Sequence, residues 1–132
     1  MFLLDTNIVS SLIADPSGAA ARRLEARADQ RTLINAIVLG ELWFGAAKRN
    51  SARLTDRIAR FVARTEIVPI EADAARAYGQ VRADLARTGS PIGPNDTWIA
   101  AHALALGATV VTANEREFGR VAGLDVENWL TS

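Results

Sequence analysis

The sequence has no cysteine, one histidine (His102), one lysine (Lys48) and no apolar run long enough to cross a membrane. Each scarcity removes a class of function. Without cysteine there is no disulfide framework and no thiolate metal site. A single histidine excludes a His-rich zinc centre and any ribonuclease that works with two imidazoles. A membrane span needs roughly 18 consecutive apolar residues, and none is present. The opening MFLLDTN carries neither the basic start nor the small-residue cleavage site of a secretory signal. No G-x-x-x-x-G-K-[ST] loop and no G-x-G-x-x-G run occurs, which removes P-loop hydrolysis and the dinucleotide fingerprint. The expected location is the cytoplasm.

What is present is ordinary globular composition, 49% apolar and 23% charged over 132 residues. That length fits a single domain over residues 1–132 with one core. Fifteen basic residues balance fifteen acidic ones, and all the basic ones except Lys48 are arginine. Arginine keeps its charge and grips phosphate through two parallel bonds, which suits nucleic acid. The abundance of alanine offers a second explanation, a general compositional bias.

Periodicity and turn residues predict strands at Phe2–Leu4, Thr32–Ile34, Glu66–Ile70, Thr109–Val111 and Leu124–Val126. They predict helices at Thr6–Ala14, Ala19–Ala28, Ile37–Arg49, Ala52–Arg64, Ala72–Arg87, Asp96–Leu106 and Glu115–Val121. This alternation, without linkers or repeats, is the pattern of a three-layer α/β domain with a mostly parallel sheet. In such sheets ligands bind beyond the carboxyl ends of the strands, so the residues just after each strand carry the chemistry.

Four oxygen-bearing side chains stand where one sheet edge could gather them: Asp5, Glu41, Asp96 and Asn114. Each also has a plain structural explanation. Asp5 and Asp96 can cap helices, Glu41 can be a solvated charge near a positive helix end, and Asn114 suits a turn. Together they point further, because Glu41 is followed by Leu42, Trp43 and Phe44 and a buried carboxylate needs a partner. Two like charges ~4 Å apart cost on the order of 4 kcal/mol at an effective dielectric of about 20. A hard divalent cation such as Mg²⁺ or Mn²⁺ is the natural compensation for oxygen ligands.

The stretches FLLDTN at 2–7, IVLGELWFGAAK at 37–48, VRADLARTGSPIGPNDTWIAAHA at 81–103 and VVTANEREFGRVAGLDVENW at 110–129 resemble PIN-domain ribonucleases. More narrowly they resemble the VapC toxins of type II toxin–antitoxin modules, in the same order and over essentially the whole chain. The resemblance implies an α/β/α fold with a parallel five-stranded sheet, usually dimeric. It implies that Asp5, Glu41 and Asp96 are Mg²⁺ ligands and that Asn114 stands at the fourth acidic position. An amide there departs from the family pattern; Glu115 and Glu117 are the nearby carboxylates able to compensate. Asn7 and Thr112 match polar residues that support the site. A further departure is Asn35-Ala36, where relatives often place Ser or Thr before the glutamate helix.

The implied reaction is metal-dependent hydrolysis of RNA leaving a 3′-hydroxyl and a 5′-phosphate, with tRNA as the substrate class and the initiator tRNA anticodon loop as the specific candidate. The implied partner is a small VapB-like antitoxin seated in a groove beside the glutamate helix, with Leu12, Trp43 and Phe44 as candidate contacts. Core packing is the competing role for at least one of the two aromatics. Arg49, Arg53, Arg57, Arg60 and Arg64 recur at three- and four-residue steps, giving one stripe that is either a phosphate track or a solvated face. His102, Trp98 and Trp129 read as structural. Two alternatives stand beside the enzyme. A PIN fold that binds RNA without cutting is supported by Asn114. A receiver-type signalling domain is disfavoured because Asp5 has no acidic neighbour and Lys48 is misplaced.

Overall fold

The computed structural model describes residues 1–131; Ser132, the last position of the expected domain, lies outside them. The elements run β1 (Phe2–Leu4), α1 (Thr6–Ala14), α2 (Ala19–Ala26), β2 (Thr32–Asn35), α3 (Ala36–Arg49), α4 (Ala52–Ala63), β3 (Glu66–Val68), α5 (Ala72–Arg87), α6 (Pro94–Leu106), β4 (Thr109–Val111), α7 (Glu115–Phe118) and β5 (Val126–Glu127).

The strands form one sheet in the order β3-β2-β1-β4-β5, and every pairing is parallel. The chain builds outward from β1 through β2 to β3, then crosses back to lay down β4 and β5 on the other side. With right-handed crossovers, that reversal places helices on both faces. A strand covered on both faces must be apolar throughout, which explains why Phe2, Leu3 and Leu4 are all buried. Against them pack Ile8, Val9 and Leu12 of α1, Val38, Leu42 and Ala46 of α3, and Ile99 and Ala100 of α6.

Where boundaries differ from expectation, a cap or a turn is the cause. β2 runs on to Asn35, whose Oδ1 accepts from the Val38 N–H at 3.0 Å, so α3 starts at Ala36. α6 opens at Pro94, since proline's missing N–H is harmless in a first turn. β3 stops at Val68, ahead of Pro69, which has no N–H for a ladder. α7 ends at Phe118; at Gly119 a Cβ would lie 2.8 Å from the Glu115 carbonyl oxygen. β5 pairs two residues later than expected, with Val126 opposite Val110, because Leu124 is spent in a turn beside Gly123, at φ +78°.

His102 is buried in α6, with its Nδ1 3.1 Å from the Asn35 amide nitrogen and a further hydrogen bond to the Pro69 backbone. Burial holds its pKa below the ordinary histidine value. It is a neutral strut joining α6 to the ends of β2 and β3. Trp129 is fully buried and meets Phe2 edge-on, while Trp98 stacks on Tyr78 with ring centroids 4.0 Å apart.

Candidate active site

The strand order reverses between β1 and β4, and beyond the carboxyl ends of those two strands the acidic residues gather. Asp5 follows β1 directly. Its Oδ1 accepts the Thr6 N–H at 2.8 Å, which caps α1. Its Oδ2 accepts from the Thr112 hydroxyl, also at 2.8 Å, at the end of β4. Capping and site-building are therefore one arrangement, a different oxygen serving each. Thr112 in turn accepts the Asn114 N–H at 2.9 Å, so the turn after β4 is tied to the carboxylate beside it.

Glu41 enters from the second turn of α3. Its Oε1 accepts from the Thr6 hydroxyl at 2.6 Å, and its Oε2 lies 3.4 Å from the Asn95 amide nitrogen. Asp96 sits in the first turn of α6, where the positive end of the helix favours a carboxylate. It faces Glu117 of α7, to which it can donate when protonated; Glu117 Oε2 accepts from the Asn114 amide at 2.8 Å.

The electrostatics follow from this gathering. Burial raises the Asp5 pKa; the Thr112 and Thr6 hydrogen bonds oppose that rise, and the Glu41 charge adds to it. Asp96 is pushed from 3.8 up to about 7, first by burial, then by its hydrogen bond with Glu117 and by the charges of Asp5, Glu117 and Glu41. None of the ion pairs among the described residues involves any of these four carboxylates. Their hydrogen-bond donors are all neutral. Among the described residues no three acidic or histidine side chains stand at ready-made cation-ligating spacing. The donor set still fits Mg²⁺, which keeps several waters and takes one or two carboxylates directly.

The structure separates residues that the sequence left together. Asn114 directs its amide nitrogen at Glu117, one of the two nearby carboxylates able to compensate for it. Glu115 is exposed and lies 3.4 Å from Asn128 instead. Asn7 is exposed and makes no side-chain hydrogen bond among the described residues; Thr6 does the supporting work expected of it. Glu117 has a sequence signal, its three-residue spacing from Asn114, whereas the contact of Thr6 with a residue 35 positions away has none.

A groove of about 610 Å³ leads from Thr6 and Glu41 between α1, α3 and α4, past Ile13, Leu42, Gly45, Leu54 and Ile58 to Arg49, Arg53 and Arg57. Arg60 and Arg64 continue the stripe along α4 outside the groove, Arg60 paired with Asp56 at 3.1 Å. Leu12 does not face this groove; it is buried in the core, and Ile13 takes the position expected of it. Trp43 and Phe44 do not line it either, and neither packs in the core: they are 36% and 65% exposed. The helical repeat explains this, since Val38, Leu42 and Ala46 hold the inward face of α3 and turn both aromatics outward. Phe44 lines a second, shallower recess with Ile37, Gly40, Glu41 and Asn95.

The family model for the PIN domain matches residues 2–124. The chain belongs to the PIN domain family. This PIN domain is 39% identical over 132 residues to the tRNA(fMet)-specific endonuclease VapC of Shigella flexneri, covering 97% of each chain. It is 37% identical to the ribonuclease VapC2 of Rickettsia felis, covering 98% of each. The solved VapBC2 structure from Rickettsia felis, bound to a DNA fragment from its promoter, superimposes with a TM-score of 0.89 at 36% identity, over 97% of this chain and 98% of that one. The likeness places this PIN domain among the VapC ribonucleases and leaves no room for the receiver-type alternative.

Proposed function

We propose that this chain is the toxin of a VapBC-type pair: a Mg²⁺-dependent endoribonuclease, with Mn²⁺ able to substitute, that cuts tRNA and is held in check by a VapB-like antitoxin. The observation that carries the reading is the set of four carboxylates, Asp5, Glu41, Asp96 and Glu117, gathered at the sheet's switch point with none of them in an ion pair among the described residues. A divalent cation offsets their charge and, when bound, acidifies a water and stabilises charge on a phosphoryl oxygen.

The chain's own residues would do the remaining work. Asp5, Asp96 and Glu41 would hold the cation, one or two of them directly and the rest through its waters, with Glu117 beside Asp96. Thr112 and the Thr6 N–H fix both oxygens of Asp5, so the ligand geometry is set before substrate arrives. Glu41 or Asp5 accepts the proton of the attacking water. Arg49, Arg53 and Arg57 bind phosphates along the groove, drawing RNA to a site whose own charge repels it. The products carry a 3′-hydroxyl and a 5′-phosphate. The name of the Shigella flexneri relative favours initiator tRNA as the substrate; cleavage in the anticodon loop and action in the cytoplasm are part of our proposal. The solved VapBC2 relative favours a VapB-like antitoxin as the partner; we assign its seat to this groove and take the toxin to be a homodimer. The non-cleaving alternative rests on Asn114; Glu117, hydrogen-bonded to it, is a carboxylate able to compensate and so favours the enzyme.

The test is cleavage of RNA by the purified protein with Mg²⁺ or Mn²⁺, with sequencing of the new ends. Asp5→Asn and Asp96→Asn should each lower the rate by at least ~100-fold, the scale for loss of charge stabilisation in a transition state. Cleavage that persists in EDTA would contradict the metal-dependent reading.

A further inference from the structure

The Thr6 side chain has no task in capping α1. Asp5 is the cap, and it uses the Thr6 backbone N–H, leaving the hydroxyl free. That hydroxyl donates to Glu41 Oε1 at 2.6 Å, a short bond of the charge-assisted kind. The other contact to Glu41, from Asn95, is long at 3.4 Å, so Thr6 is the main restraint on this carboxylate.

Glu41 stands at a fork. It lines both the arginine-edged groove and the shallow recess that contains Phe44 and Asn95. A glutamate side chain has several rotors and loses entropy when held. Arg49, two turns further along the same helix, and Arg53 and Arg57 across the groove attract it away from the other acids, which repel it. A lysine or arginine at position 6 would hold it too, but would cancel the charge a cation needs. A hydroxyl orients the carboxylate and leaves its charge intact.

We propose that Thr6 is a positioning residue of the reaction: its hydroxyl, donated to Glu41, holds that carboxylate at the acidic cluster and away from the arginine-edged groove. One helix start then sets two carboxylates, Asp5 through the Thr6 N–H and Glu41 through the Thr6 hydroxyl. The inference rests on the metal-dependent reading above.

The test compares Thr6→Val, which keeps the shape and loses the donor, with Thr6→Ser, which keeps the donor. Mn²⁺ binding to the protein without RNA is measured by the free-Mn²⁺ electron paramagnetic resonance signal, alongside thermal melting and the kcat and KM for RNA cleavage. Thr6→Val should weaken Mn²⁺ binding by ~10-fold or more, as loss of a partner that orients a ligand does. It should lower kcat more than it raises KM, with the melting temperature close to wild type, and Thr6→Ser should restore both binding and kcat. Wild-type Mn²⁺ affinity and kcat in Thr6→Val, or equal losses in Thr6→Val and Thr6→Ser, would overturn the role given to the hydroxyl while leaving the metal reading in place. A wild-type protein that neither binds Mn²⁺ nor cuts RNA would overturn that reading and this inference with it.

Discussion

Asp96 stands beside Glu117 and can donate a hydrogen bond to it only when protonated. Without a cation Asp96 is partly protonated at neutral pH, and the sign of the resulting stability change is fixed. The Asp96 pKa is raised from 3.8 to about 7, so its favourable contribution is complete below 3.8 and is lost as pH rises through about 7. In EDTA, stability should fall between about pH 4 and about pH 7, by on the order of 1 kcal/mol once screening of this partly exposed group is allowed for, and the melting temperature should fall with it. Glu117→Gln should flatten that fall, and saturating Mg²⁺ should abolish it. Parallel slopes for wild type and Glu117→Gln in EDTA would show that the pair does not share a proton. Asp5 and Asp96 were legible in the sequence because each abrupt carboxylate breaks an apolar run or opens a helix. Glu117 was ambiguous with Glu115, because two carboxylates two residues apart in a four-residue helix differ only in which side they face. Thr6 was illegible, since nothing local marks a contact between α1 and α3.

At the scale of the element, α3 carries two glycines, Gly40 and Gly45, where an added Cβ meets nothing within 4 Å. Glycine inside a helix is ~1 kcal/mol less favourable than alanine, so the isolated chain gains nothing from Gly45. Gly45 lines the groove between α1, α3 and α4, and its bare backbone keeps that groove deep. Gly45→Ala should stabilise the free protein by roughly 0.5–1 kcal/mol in urea unfolding and weaken capture of a VapB-like antitoxin segment in a titration. Stabilisation with unchanged antitoxin affinity would mean that the partner does not reach this part of the groove. The existence of every helix and strand was readable from periodicity, because apolar residues recur at the spacing each element imposes. The orientation of α3 was harder. Trp43 and Phe44 look like core residues in a linear reading, yet a helix with Val38, Leu42 and Ala46 inward has no room for them on that face.

At the scale of the whole molecule, a formal net charge of zero conceals two opposed regions. Carboxylates concentrate beyond the ends of β1 and β4, while arginines line the far end of the groove between α3 and α4. Such a surface orients a polyanion, holding its backbone at one end and presenting a phosphate to the other. Reversing two of the arginines, Arg53→Glu with Arg57→Glu, in an Asp5→Asn background should weaken RNA binding measured by fluorescence anisotropy. The slope of log K against log salt should shrink by about 1.4, roughly 0.7 for each phosphate of a single strand that is no longer neutralised. An unchanged slope would make this part of the stripe a solvated face. The parallel sheet was expected from alternation alone, but the meeting of Asp5 with Thr112, 107 residues apart, depends on β1 and β4 being neighbours. No composition or period encodes that pairing.

The strand order β3-β2-β1-β4-β5 also imposes a timetable. A chain emerging from the ribosome folds from its N-terminal side, and its first three strands leave β1 as an open margin waiting for β4. Until β4 is inserted, Asp5 has no Thr112 to grip its second oxygen, and until α7 follows, Asp96 has no Glu117 beside it. A product cut short between Asp96 and that last segment has three of the acids but not their arrangement. On the function proposed above, this would be a weapon that stays unarmed while being forged: the translation machinery completes nearly the whole chain before the chain is able to attack it.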